Sequence, residues 1–306
     1  MPAGPLQFHP VTLGEKELFR KVYRSFPPDH SDNNFANLVC WNHYARYECA
    51  YSGGCIVLKS TIDGRSTYRP PIGPEDPATL RAAIACAIDD GNDEPFAILG
   101  ARAREWVLAQ YPSLPLIPMW EYFDYVYKSG DLATLPGRQY LSIRRQLHRF
   151  RKSCDYVVET VTAGILPEIR EFLEKWCEWK ECDSVPVLAN EKEAILFATD
   201  HFLELELSGL VIRVEGNISG MEIFQELNPD TAVVHFEKGL PDCEGIYKAV
   251  NNETAKILAS RYPYINRESD MGVEGLREAK LRYHPHHMAE VFHVRREDLI
   301  THCDSG

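Results

Sequence analysis

The chain has 306 residues, and 33 Lys and Arg against 45 Asp and Glu give it a formal charge of −12; that length suits two domains, each with a core of its own. Such a charge excludes a diffuse polycation spread along nucleic acid or an anionic membrane, so any phosphate must be held in a local basic site. No apolar run approaches the roughly 18 to 20 residues of a spanning helix, and the first twenty residues lack a basic start followed by an apolar stretch, so a chain without a transmembrane segment, resident in the cytoplasm, is expected.

A first helix is expected after Thr12, which with Glu15 carries the signature of a capping box. Short β-prone pieces at 47–51, 55–60 and 66–69, separated by Ser52-Gly53-Gly54 and Asp63-Gly64, predict an antiparallel meander. An Ala-rich helix over 78–88 and a buried strand over 95–100 follow. The aromatic run Trp120, Tyr122, Phe123, Tyr125 and Tyr127 reads as a strand buried partly on both faces. Next comes a segment from Arg138 to Lys152 with no acid in it, and beyond it the composition turns acidic. That shift sets the expected boundary near residue 155, giving domains 1–155 and 156–306.

The second half repeats the order of the first. Amphipathic helices are expected over 166–180 and 191–205, then strands over 210–214 and 219–224 around the tight turn Glu215-Gly216-Asn217, and a third over 231–237. A helix over 245–260, a strand over 262–267, a short helix over 272–281 and a strand over 289–294 complete the series. The expected class is α/β of the α+β kind, each half a mixed, mainly antiparallel sheet flanked by helices. The nine cysteines are odd in number with no C-x-x-C pair, which predicts free thiols, Cys177 and Cys182 among them, and no zinc ribbon.

Four segments carry side chains unusual for their positions. Arg144, Arg145 and Arg149 recur at helical spacing and could gather guanidiniums against an anionic donor, a solvated helix being the plain alternative. The strand through Glu237 and Lys238 feeds a helix bearing Tyr247 and Asn251, and the free N–H groups of a helix start suit an acyl carbonyl or a phosphate. The usual acetyl-CoA loop, Arg or Gln then x-x-Gly-x-Gly/Ala, is absent there. In the third segment Asn266, Arg267 and Asp270 crowd a strand-to-helix junction ahead of Gly272, Gly275, Lys280 and Tyr283, where a lysine could meet a developing oxyanion. The histidines His284, His286, His287 and His293 share no regular face, so no metal is expected, and without a G-x-S-x-G elbow a serine hydrolase is unsupported.

The third segment, together with Asp124-Tyr125-Val126-Tyr127 through Arg138, the Trp176 helix, and His235 to Lys238 through Gly245 to Asn251, resembles the C-terminal domain family of phosphatidylglycerol lysyltransferases. The resemblance covers most of residues 35–294 and implies two tandem GNAT-like folds, with the probable cleft in the second. It implies an aminoacyltransferase that takes its group from an aminoacyl-tRNA and passes it to an acceptor such as a lipid headgroup. The tRNA acceptor end and a lipid headgroup at the membrane surface are then the implied partners, and no cofactor is required. The fold is also similar to Fem-type aminoacyl transferases, where a lysine in a Gly-Leu-x-x-x-Lys-like helix supports the transfer site; the match here is Lys280, after Gly275 and Leu276. On this reading Lys280 stabilises the oxyanion, while Asp270 or Glu237 orients the acceptor amine or the donor's α-ammonium. The chain departs from the lipid synthases in lacking their membrane-spanning half and in its acidity. Two alternatives stand beside it, an N-acyltransferase using acetyl-CoA and a binding module for an aminoacylated ligand.

Overall fold

In the computed structural model, which describes residues 5–303, the chain starts with β1 (His9–Pro10) and a 3₁₀ turn over Leu13–Glu15. The capping box is present, with Thr12 Oγ1 accepting from Gly14 N and Thr12 N donating to Glu15 at 2.8 Å. Helices α1 (Lys16–Tyr23), α2 (Phe35–Cys40) and α3 (Asn42–Ala45) lead into the expected meander of β2 (Glu48–Ser52), β3 (Cys55–Ile62) and β4 (Arg65–Tyr68). Asp76 caps α4 (Pro77–Asp90) through the amides of Ala78 and Thr79, and β5 (Phe96–Leu99), α5 (Ala101–Gln110) and β6 (Ile117–Pro118) follow. The aromatic run is only half a strand. Trp120–Tyr122 forms a 3₁₀ turn, with Trp120 exposed, and β7 (Asp124–Lys128) begins after it.

Then come α6 (Ser129–Thr134), α7 (Leu141–Ser153), β8 (Tyr156–Thr160), α8 (Leu166–Lys180) and α9 (Pro186–Asp200). The last starts five residues before the expected 191–205, because Pro186 occupies its first turn, where a missing N–H costs nothing. A meander of β9 (Ser208–Val214), β10 (Asn217–Asn228) and β11 (Thr231–Gly239) precedes α10 (Ile246–Leu258), β12 (Tyr264–Asn266), α11 (Glu274–Leu281) and β13 (His287–Ala289). Strand β14 (Phe292–Val294) and α12 (Arg296–Cys303) end the described chain.

Two seven-stranded mixed sheets result, ordered β1-β2-β3-β4-β5-β14-β6 and β13-β7-β12-β11-β10-β9-β8. The chain divides into one unit that runs to Phe123 and resumes at Ala289, and a second from Asp124 to Met288. The compositional break near residue 155 falls instead inside the second unit, between α7 and β8. The reason is that α7 is basic only on its outer side. Its Ile143, Leu147 and Phe150 are buried in one core with Leu210, Ile212, Val234 and Val250, and apolar burial rather than surface charge decides where a helix belongs.

Two cysteine pairs are bridged, which corrects the expectation of free thiols at Cys177 and Cys182. Glu181 takes a left-handed backbone (φ 53°) at the end of α8 and turns Cys182 back onto Cys177, with 5.0 Å between Cα atoms. Cys154, at the end of α7, meets Cys243, just ahead of α10, with 6.4 Å between Cα atoms. The described cysteines at 49, 55, 86 and 303 are not bridged. Peptide mapping without reductant should recover both bridged pairs. Cys243→Ser opens a link spanning 89 residues and should lower unfolding stability by roughly 2–4 kcal/mol; an unchanged urea midpoint would mean that the bridge is absent in solution.

Candidate active site

Strands β11 and β12 run parallel over three pairs, from Thr231 with Tyr264 to Val233 with Asn266. There β12 ends, while β11 continues to Gly239. Side chains take over where the ladder stops: His235 Nδ1 lies 3.1 Å from Glu268 Oε1, and Arg267 pairs with Glu237. Glu237 is also the cross-strand partner of Glu222 on β10, and such pairs stand on the same face of the sheet.

Helix α10 closes over this face because two glycines leave it room. A Cβ on Gly220 would come within 2.6 Å of Val250 Cγ2, and one on Gly239 within 2.8 Å of Ile246 Cγ2. Beneath the helix Glu222 is fully buried, with Thr254 of α10 and Glu237 as polar neighbours but neither carboxyl oxygen in a well-formed hydrogen bond. Thr254 Oγ1 and Asn251 Oδ1, both on α10, are buried and as poorly paired. Burial, and then the neighbouring Glu237, push the Glu222 carboxyl well above the usual carboxylate range, with Arg267 opposing.

Arg267 lies over two aromatic rings, 4.9 Å from the centroid of Tyr283 and 5.8 Å from that of Tyr127. Burial works against its charge, but Glu237 and the tyrosines outweigh it and hold the guanidinium cationic. Its Nη1 and the Tyr283 hydroxyl are both buried without a partner. Lys248 Nζ lies over the same Tyr283 ring at 4.8 Å, and burial lowers its pKa. Polar atoms left unpaired in an interior are uncommon, since each carries its desolvation cost uncompensated. Their concentration here marks the place as a candidate site.

The loop after β12 is held from α11. Lys280 Nζ donates to the carbonyls of Arg267 at 2.7 Å, Glu268 at 3.0 Å and Ser269 at 2.5 Å, which occupies all three ammonium hydrogens. Burial and Arg267 push its pKa down to about 8, so the ammonium still predominates at neutral pH. The clamp holds a loop with left-handed backbone at Glu268 (φ 56°) and Met271 (φ 51°), conformations that L-residues adopt only under such support. Asp270 is equally occupied, accepting from Tyr125 Oη at 2.6 Å, Arg277 Nε at 2.8 Å and Gly272 N at 2.9 Å. Asn266 Nδ2 donates to Asp124 at 2.8 Å, and its Oδ1 accepts from Glu268 N at 2.7 Å.

Of the residues singled out in the sequence, Glu237, Arg267 and Tyr283 therefore converge, Asn251 lies buried on α10, and Asn266, Asp270 and Lys280 build the loop beside them. Others lie elsewhere. Lys238, one residue along the strand and so turned to the other face, pairs with Glu191 at 2.6 Å and lies 4.7 Å from the Trp176 ring. Tyr247 accepts from Trp176 Nε1 at 3.3 Å. On α7, Arg144 donates to the carbonyls of Leu135 and Gly137, Arg145 stands exposed, and Arg149 pairs with Glu244 at 3.0 Å. Glu222, Lys248, Tyr127 and Thr254 join the cluster without having been expected there. For Glu222 the signal was a single acid within the run Gly220-Met221-Glu222-Ile223-Phe224.

Residues 23–295 match the family model described as phosphatidylglycerol lysyltransferase, C-terminal. Among solved structures, a conserved protein of unknown function from Bacteroides thetaiotaomicron VPI-5482 is similar with a TM-score of 0.85 and 28% identity, over 95% of this chain and 99% of that one. The C-terminal domain ascribed to a lysylphosphatidylglycerol synthetase of Agrobacterium fabrum shares the fold at a TM-score of 0.64 and 11% identity, covering 94% and 95%. L-PGS from Bacillus licheniformis does so at 0.63 and 12%, covering 92% and 91%. The expected α/β class, mixed sheets flanked by helices, is borne out. No curated protein matches the chain.

The raised pKa of Glu222 has a direct test. Folding favours its protonated form, so its contribution to stability is complete below the ordinary value of 4.5 and is lost as the pH rises toward the raised one. Relative to Glu222→Gln, the wild-type melting temperature should fall by roughly 5 °C or more between about pH 5 and pH 9. Parallel melting curves would mean that Glu222 is ionised in the folded chain.

Proposed function

The chain belongs to the phosphatidylglycerol lysyltransferase C-terminal family, and we propose that it transfers an aminoacyl group from an aminoacyl-tRNA to an amine- or hydroxyl-bearing acceptor, with a phosphatidylglycerol-like headgroup as the acceptor its family implies. The observation that carries this reading is the gap between β11 and β12, lined by paired charges instead of a ladder. An aminoacyl ester presents an ammonium one carbon from its carbonyl, and thus calls for a carboxylate and a cation side by side. Glu237 and Arg267 supply that pairing.

In the proposed step the acceptor's oxygen or nitrogen attacks the ester carbonyl and gives up its proton, and the 3′-oxygen of the tRNA leaves with a proton. Glu237 suits the α-ammonium better than Asp270, whose oxygens are already filled by Tyr125, Arg277 and Gly272. Arg267, with Nη1 buried and unpaired, is the cation ready to receive the oxyanion, and Lys280 acts beside it once it exchanges a carbonyl for that oxygen. An acetyl-CoA donor is less suited. Asp242 and Glu244 stand just before the start of α10, and the cap, Gly245, offers no side chain, so carboxylates occupy the position where a pyrophosphate would need donors. Among the described residues no helix is long and apolar enough to cross a membrane, so a lipid acceptor would be approached from the membrane surface.

Incubation with a mixture of labelled aminoacyl-tRNAs, acetyl-CoA and phosphatidylglycerol vesicles, followed by mass spectrometry, tests the reading. Loss of label from tRNA and its appearance on an acceptor is expected; consumption of acetyl-CoA alone, or binding without transfer, overturns it. Lys280→Met should lower turnover by roughly a hundredfold or more, and it should also lower thermal stability, because three loop carbonyls lose their donor. A variant that loses stability yet keeps its transfer rate once folded would confine Lys280 to the loop.

A further inference from the structure

A second polar feature of the same unit lies apart from the β11–β12 gap. Between the end of α6, one side of α7 and the last turns of α10 is a hollow of about 410 Å³, lined by Thr134, Arg144, His148, Arg151, Asn252 and Lys256 among others. Arg144, His148 and Arg151 follow one another at steps of four and three, which brings them onto one side of the helix. In a chain of net charge −12, this is a place where cations outnumber acids.

The two guanidiniums are held in place by part of their donor set only. Arg144 commits Nη1 to the carbonyls of Leu135 and Gly137. Arg151 commits Nη2 to Asn252 Oδ1 at 3.0 Å and Glu253 Oε1 at 3.3 Å, and Asn252 is itself fixed through Nδ2 on the carbonyls of Leu132 and Ala133. Among the described contacts, Nε and the second terminal nitrogen of each arginine remain open. Lys256 Nζ meets the same carboxylate, Glu253, at 2.7 Å. Arg151 and Lys256 thus share one carboxylate and Arg144 has none, leaving a charge of about two with the His148 imidazole beside it.

We propose that this hollow binds a dianionic phosphate group, as inorganic phosphate or as the monoester of a small phosphorylated molecule. Forked donors held by the protein on one side and open on the other suit a tetrahedral anion. A monoester carries about −1.5 to −2 at neutral pH, which balances the site, whereas the phosphodiester of a lipid or of an RNA backbone carries one charge per phosphate and leaves an excess. The hollow is independent of the transfer reading, since none of its residues belongs to the Arg267 cluster.

Calorimetric titration in low-salt chloride buffer tests it, with four probes: inorganic phosphate, AMP, a short single-stranded RNA lacking terminal phosphates, and phosphatidylglycerol vesicles. Inorganic phosphate and AMP should each bind once per chain, and the tighter of the two identifies the source. His148→Glu introduces a carboxylate at an exposed position, so folding should be kept while affinity for both falls about tenfold or more. Lys256→Gln should weaken both by a few fold, whereas Arg145→Gln, on the same helix but outside the hollow, should change neither. Absence of binding by either probe, or binding indifferent to His148→Glu, would overturn the proposal. RNA without terminal phosphates binding as tightly as AMP would make the surface a nucleic-acid track, and His148-dependent vesicle binding without phosphate binding would make it a lipid contact; each would equally overturn it.

Discussion

Two parallel strands that diverge lose the hydrogen bonds that joined them, and something else must hold the sheet together at that point. In the second unit it is the ion pair of Arg267 and Glu237, set beneath α10. A buried pair is costly to assemble, because both ions leave water, and it persists only where further contacts offset that cost. Tyr127 and Tyr283 give Arg267 aromatic surface, and Lys280 fixes the backbone from which it projects. The remaining acid, Glu222, has no cation left for itself, and its neutral form is the one that fits. The site's chemistry and the sheet's cohesion rest on the same few atoms.

That dependence explains why the two kinds of feature differed so much in how far the sequence disclosed them. The meander from Glu48 to Tyr68 was plain because Gly53, Gly54 and Gly64 take left-handed φ values that turns require, and α8 was plain from Ile169, Phe172, Leu173 and Trp176 on one face. Local chemistry specifies such elements. The polar junction around Arg267 and Lys280 was visible for the same reason, as charged residues crowding a strand-to-helix turn. What Arg267 pairs with was not visible, since the Glu222–Glu237 neighbourship is set by the register of β10 on β11, including a shift after Ile223.

The cysteines went astray through a non-local cause, and the surroundings of the basic helix are set by one of the same kind. Cys154 and Cys243 are 89 residues apart and meet because α7 and α10 share a core, which no spacing rule reports. Arg144, Arg145 and Arg149 looked like one cationic face, but a short helix in a packed domain presents each side to different neighbours, and their partners are respectively a pair of carbonyls, solvent, and Glu244.

Strand β14 takes its place between β5 and β6, and residues 292–294 form it. During synthesis the ribosome releases β1 through β6 long before that strand, and every residue of the second unit emerges in between. The second sheet takes all its strands from Asp124 to Ala289 and can close first. The unit begun first thus finishes last, waiting through synthesis of the whole second unit with β5 and β6 each missing the neighbour that β14 supplies. A nascent chain of this topology has unpaired strand edges to shield until residues 292–294 arrive, and its yield depends on what covers those edges in the meantime.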